Sequence, residues 1–115
     1  LWLAALAFKT KSNQPIIVTL LEFKQLLNSP TPPHVPALLT ALWHDARGEW
    51  DKAHDLAQDV NNQDGSWIHA YLHRKEGDRS NAQYWYQRAN RKMPVYSLEQ
   101  EWEELVSALL TSPHQ

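Results

Sequence analysis

Apolar residues recur at three- and four-residue intervals along most of the chain, the period of amphipathic helices. Thr19-Leu20-Leu21-Glu22 has capping-box spacing, and Leu20, Phe23 and Leu27 follow on one face, which predicts a helix ending near Asn28. Pro30, Pro32 and Pro33 then impose a stiff, extended connector. A second helix is expected from about Val35 to Arg47, stopping at Gly48. A third, from about Glu49 to Asn61, carries Trp50, Ala53, Ala57 and Val60 on one stripe and ends in the polar turn Asn61 to Ser66. Trp67 to Glu76 is again helical and again stops at a glycine, Gly77. Asp78 or Ser80 can cap the next helix, where Ala82, Trp85, Tyr86 and Ala89 recur at helical spacing before Pro94 closes it. Ser97 and Gln100 have the spacing of a second capping box, opening a last helix with Leu98, Trp102, Leu105 and Leu109 on one face. Glu99, Glu101, Glu103 and Glu104 fall mostly on its solvent side. No strand-like alternation is evident, so the expected class is all-α.

Leu1 to Phe8 forms an apolar run followed by Lys9 and Lys11. It is too short to span a bilayer, which needs about 20 residues. The run reads as a short first helix packed on the core through Trp2 and Leu6. The alternative is the remnant of a signal or anchor segment cut from a longer product.

Sliding the sequence on itself places Ala41 on Ala70, His44 on His73, Gly48 on Gly77, Glu49 on Asp78 and Ala53 on Ala82, an offset of 29 residues. The glycines suit a tight interhelical turn, and the alanines suit a close helix crossing. The segments Ala41-Leu42-Trp43, Gly48-Glu49-Trp50 and Ala53, then Ala70-Tyr71-Leu72, Gly77-Asp78, Ala82, Tyr86, Ala89 and Pro94, resemble tetratricopeptide (TPR) repeats. The offset is shorter than the ~34 residues of that family, and two copies are present where about three are expected to stand alone. The resemblance implies one domain over residues 1–115, with hairpins at 35–61 and 66–93. An N-terminal helix and a C-terminal helix at 97–110 would then cap the open ends. The run His69 to Asp78, with Asn81-Ala82, Tyr84-Trp85-Tyr86 and Arg88-Ala89, also resembles a small bacterial family of unknown function.

The chain has 115 residues, 43% hydrophobic and 21% charged, the balance of a folded domain able to bury a core. A formal net charge of −2 gives no electrostatic case for nucleic acid. The cluster Arg88, Arg91 and Lys92 sits at a predicted helix end, where cations offset the helix dipole. The absence of cysteine excludes disulfides, thiolate metal sites and cysteine nucleophiles, and fits a cytoplasmic protein. No cofactor motif is present, and membrane association is expected only if Leu1 to Phe8 remains from an anchor.

His69 and His73 are four apart with Glu76 three further on, one side of a helix in a spacing able to hold a divalent metal. His44, the repeat-equivalent of His73, is a further candidate ligand, and His54 a possible addition. The apolar centre of the same helix lies near Tyr71, on the side away from these histidines. The TPR resemblance nevertheless places His73 against the second helix of its own hairpin, so both sides of this helix should be contacted. Packing is the default role for the six tryptophans, whereas Tyr84 falls away from the Trp85–Tyr86 stripe and is a candidate for surface recognition. No nucleophile or oxyanion arrangement accompanies the carboxylates Asp45, Asp51, Asp55 and Glu76. The expected function is therefore a non-enzymatic module that binds a protein, a peptide or a second copy of itself. The resemblance implies a groove lined by Leu42, Asp45, Tyr71, Arg74 and Lys75. The competing reading is a small metal-binding protein or enzyme built on His44, His69, His73 and Glu76.

Overall fold

A computed structural model of the chain describes residues 6–9 and 15–111. Its body is all-helical, with α1 (Leu20–Leu26), α2 (Ala37–Ala46), α3 (Trp50–Gln58), α4 (Gln63–Lys75), α5 (Arg79–Arg88) and α6 (Leu98–Leu110). Ahead of α1, β1 (Leu6–Lys9) and β2 (Pro15–Val18) pair antiparallel, with Leu6 opposite Val18 and Lys9 opposite Pro15. The ribbon corrects the expectation of a first helix and of a chain without strands. Within the described part of the run, Leu6 to Phe8 is strand, and Leu1 to Ala5 lie outside the described residues. The reason lies in its partner: Ile16, Ile17 and Val18 are β-branched and favour extended backbone.

The connectors α2–α3 and α4–α5 are built alike. Gly48 and Gly77 have φ of +80° and +90°, in the left-handed region. The Gly48 amide donates to Asp45 O (2.9 Å) and the Glu49 amide to His44 O (3.0 Å). The Gly77 and Asp78 amides repeat this on Arg74 O (3.1 Å) and His73 O (3.0 Å). These are the paired bonds of a Schellman cap, which satisfy carbonyls that a helix end otherwise leaves open. The end of α5 uses the same device without glycine. Asn90 takes φ +59°, and the Arg91 amide donates to Tyr86 O at 2.9 Å.

Helix starts follow the capping signals in most places. Thr19 and Glu22 form both halves of the capping box, and Asp78 and Ser97 cap α5 and α6 through the amides of Asn81 and Gln100. The exception is α4, which begins four residues before the expected Trp67. The Asn62 carboxamide accepts from the Gly65 amide at 2.8 Å and converts the second half of the polar turn into a helical first turn. Gly65 has a further role there. A Cβ on it would stand 2.0 Å from Val60 O, so only glycine lets the α3–α4 link pass this close.

The core runs through the middle of the helical stack. Leu38, Leu39, Leu42, Ile68, Leu72, Leu105, Leu109 and Leu110 are fully buried, each contributing about 1.5–3 kcal/mol of transfer free energy. Ala41, Ala53, Ala70 and Ala82 are buried at the helix crossings, where a larger side chain would push axes apart. The tryptophans bolt neighbouring elements through their indole N–H groups. Trp43 donates to Leu26 O (2.8 Å), Trp50 to Leu72 O (2.9 Å) and Trp102 to Leu42 O (3.0 Å). Among the described residues, no helix is long and apolar enough to cross a membrane.

Helix α6 lies against α1, α2 and α4. Glu101 on this helix is fully buried, correcting its expected solvent position. It falls three residues after Leu98 and four before Leu105, within the apolar stripe itself.

Candidate functional site

Helix α4 is the centre of the molecule and is contacted on both sides, so the two expectations for it hold together. Residues Gly65 to His73 are all buried, and α2, α3, α5 and α6 pack around them.

On the side facing α2 and α6, polar groups are joined in a closed network. Tyr71 donates its phenol to Asp45 at 2.6 Å, and Lys75 donates to the other oxygen of Asp45 at 2.9 Å. Glu101 accepts from Arg74 (2.7 Å), from the Trp67 indole (3.1 Å) and from the Tyr86 phenol (2.7 Å). Arg74 also donates to Tyr96 O. Burial, then the adjoining carboxylates, push the Tyr71 and Tyr86 phenols well above their ordinary range, so both remain donors.

This arrangement divides the residues expected to line a groove. Leu42 is fully buried and Arg74 is engaged by Glu101, so α6 occupies the face on which they were expected to meet a ligand. Asp45, Tyr71 and Lys75 instead border an open groove of about 580 Å³ at the edge of α6. Leu27, Ala46, Leu98 and Trp102 supply apolar lining, and Lys24, Glu99 and Glu103 supply charge. Lys24 is paired with Glu103, whereas Glu99 is exposed and makes no ion pair among the described residues. Tyr84 is 53% exposed, as its position off the stripe predicts, and stacks under the Arg88 guanidinium at 5.8 Å. It does not line the groove.

The opposite side of α4 carries His69 and His73, and α3 brings His54 to meet them. One ring nitrogen from each lies within 4.8 Å of the others. The rings pack edge-on and face-on: His54 to His69 at 4.5 Å, His54 to His73 at 5.2 Å, and His69 to His73 at 4.8 Å between centroids. Two indoles wall the cluster. Trp50 stacks on His54 at 4.9 Å, and Trp85 stacks on His69 at 3.9 Å. Glu76 is held at 2.6 Å from His73 Nδ1. Burial, reinforced by repulsion from the neighbouring histidines, lowers the pKa of His69 to about 4. Burial and the His73 charge also lower that of His54.

His44 does not join this group, which corrects the expected ligand set. Its Nδ1 lies 2.8 Å from Glu49, and its ring packs edge-on against Trp43. The hydrogen bond from His44 holds the partly exposed Glu49 carboxyl below its ordinary pKa. His44 and His73 occupy equivalent Schellman caps, and each pairs with a carboxylate just beyond it. The second hairpin adds two features: His69 one turn earlier, and a neighbouring helix that supplies His54. The signal for His54 was present in sequence, since it falls four residues after Trp50, but only the packing of α3 on α4 makes the trio.

Comparison with models of known protein families, with curated proteins and with solved structures found no match to this chain.

Proposed function

We propose that this chain is a non-enzymatic interaction module that binds a short protein segment in the groove between the ends of α2 and α4 and the edge of α6. The carrying observation is the composition of that groove: Leu27, Leu98 and Trp102 beside the Tyr71–Asp45–Lys75 network, with Glu99 exposed at the border. Aromatic and aliphatic surface with a charged border favours a peptide anchored by one apolar side chain. The resemblance of the hairpins to TPR repeats supports the same reading. Glu99 adds a preference for a basic residue next to the anchor, because Asp45 and Glu103 already have cationic partners.

Selection from a library of random short peptides on the immobilised full chain tests this reading. Selected peptides should share an apolar residue adjoining Lys or Arg. Glu99→Lys should weaken their binding by about tenfold, equivalent to 1.4 kcal/mol. Leu27→Asp, in a chain with unchanged circular dichroism, should weaken it further. Peptides without a common pattern, or binding indifferent to both substitutions, would remove the groove from consideration.

A further inference from the structure

We propose that His54, His69 and His73 form a binding site for a divalent metal ion, with zinc the best fit. The site is independent of the groove and lies on the other side of α4.

The three imidazoles come from two helices. His69 and His73 are one turn apart on α4, a spacing that projects both rings to one side. His54 faces them from α3. Tetrahedral zinc holds imidazole nitrogen at about 2.0–2.1 Å, so three ligand nitrogens sit roughly 3.4 Å apart around it. The three nitrogens here lie within 4.8 Å of one another, and rotations about the side-chain torsions close the difference. Three nitrogen donors and no thiolate suit zinc, copper and nickel better than magnesium or calcium.

The chemistry of the rings points the same way. Among the described residues, the His54 and His69 rings make no hydrogen bond to protein, and no buried side-chain nitrogen or oxygen is left without a partner, so their ring nitrogens keep contact with solvent. Each neutral imidazole keeps one lone pair, and those of His54 and His69 are not engaged by a protein donor among the described residues. A cation at the centre, about equally far from all three rings, can take these lone pairs. Glu76 supplies the outer contact seen around metal-bound histidines. By accepting from His73 Nδ1–H it fixes the tautomer and leaves Nε2 free for the ion. His54 retains 21% of its side-chain exposure, which gives the ion a path in from solvent. Three protein ligands leave a fourth position for water or an incoming group.

The test uses the full chain prepared without a histidine tag, stripped of metal and titrated with zinc chloride at pH 7.5 by calorimetry. One equivalent should bind with a dissociation constant at or below the micromolar range, about −8 kcal/mol. His54→Gln, at the partly exposed position, should weaken binding about 100-fold while leaving circular dichroism unchanged, and His69→Gln should do the same. His44→Gln should leave affinity and stoichiometry as they are. Cobalt in place of zinc should give the intense visible absorption of a tetrahedral site, lost in His54→Gln. Millimolar or weaker affinity with several equivalents, or zinc binding unaffected by His54→Gln, would mean adventitious surface binding and overturn the proposal. Failure of His69→Gln to fold leaves the decision with His54→Gln and the cobalt spectrum.

Discussion

The two sides of α4 accommodate polar groups in opposite ways. Facing α6, each charge has its counter-charge and each phenol its acceptor, as in the Glu101 network that gathers Arg74, Trp67 and Tyr86. Facing α3 and α5, three imidazoles meet one another and two indoles; among the described residues Glu76 is the one carboxylate within hydrogen-bonding distance of them, with Asp55 4.0 Å from His54. Closed networks hold a structure in one arrangement, whereas ring nitrogens that no protein donor engages retain the capacity to bind. Removing a partner should therefore damage folding on one side and ligand chemistry on the other.

The largest effect is expected from Glu101→Ala. It leaves the partly buried Arg74 without its counter-charge and the Trp67 and Tyr86 donors without an acceptor, costing about 3 kcal/mol. Urea denaturation measures this directly; a loss below 1 kcal/mol would show that the network is not what fastens α6. Acid provides the next test. His69, depressed to about 4 from 6.5, remains neutral in the fold while the unfolded chain takes up a proton. Its contribution is fully present above pH 6.5 and is lost as pH falls toward 4, by an amount on the order of 2 kcal/mol after allowance for solvent screening. His54 acts in the same direction. Denaturation midpoints at pH 7.5 and 4.5 should differ less in His69→Gln than in the parent chain, and equal differences would sink the assignment. The smallest effect on stability belongs to Glu76→Gln, below about 1 kcal/mol for an exposed partner. The same substitution should lower zinc affinity by about tenfold. A substantial loss of stability with unchanged zinc binding would reverse the roles assigned to the two sides.

The helical body follows from periodicity and capping because both are local. Thr19 with Glu22, and Gly48 and Gly77 at the Schellman caps, specify their turns within a few residues. The departures come from information that is not local. Leu6 to Phe8 is strand because a β-branched segment several residues later pairs with it. Glu101 lies within an apolar stripe, but its burial depends on Arg74, Trp67 and Tyr86 arriving from two other helices. In the histidine cluster, spacing on α4 was enough to pair His69 with His73. The 29-residue offset suggested His44 as their companion, yet the true neighbour, His54, is set by how α3 packs. Likewise, the groove residues share a face in sequence, but only the path of α6 separates the buried Leu42 from the accessible edge at Lys75.

The indole of Trp102 reaches back to the carbonyl of Leu42, joining the last helix to the first hairpin across most of the chain. A repeat array without such a fastening can fray from either end, one unit at a time. Here α6 touches both hairpins, so neither can detach without stripping the other of its cover. The long loop this closes must be formed before its contacts repay the lost chain entropy. With α6 fastened in this way, unfolding is expected as a single cooperative transition rather than hairpin by hairpin.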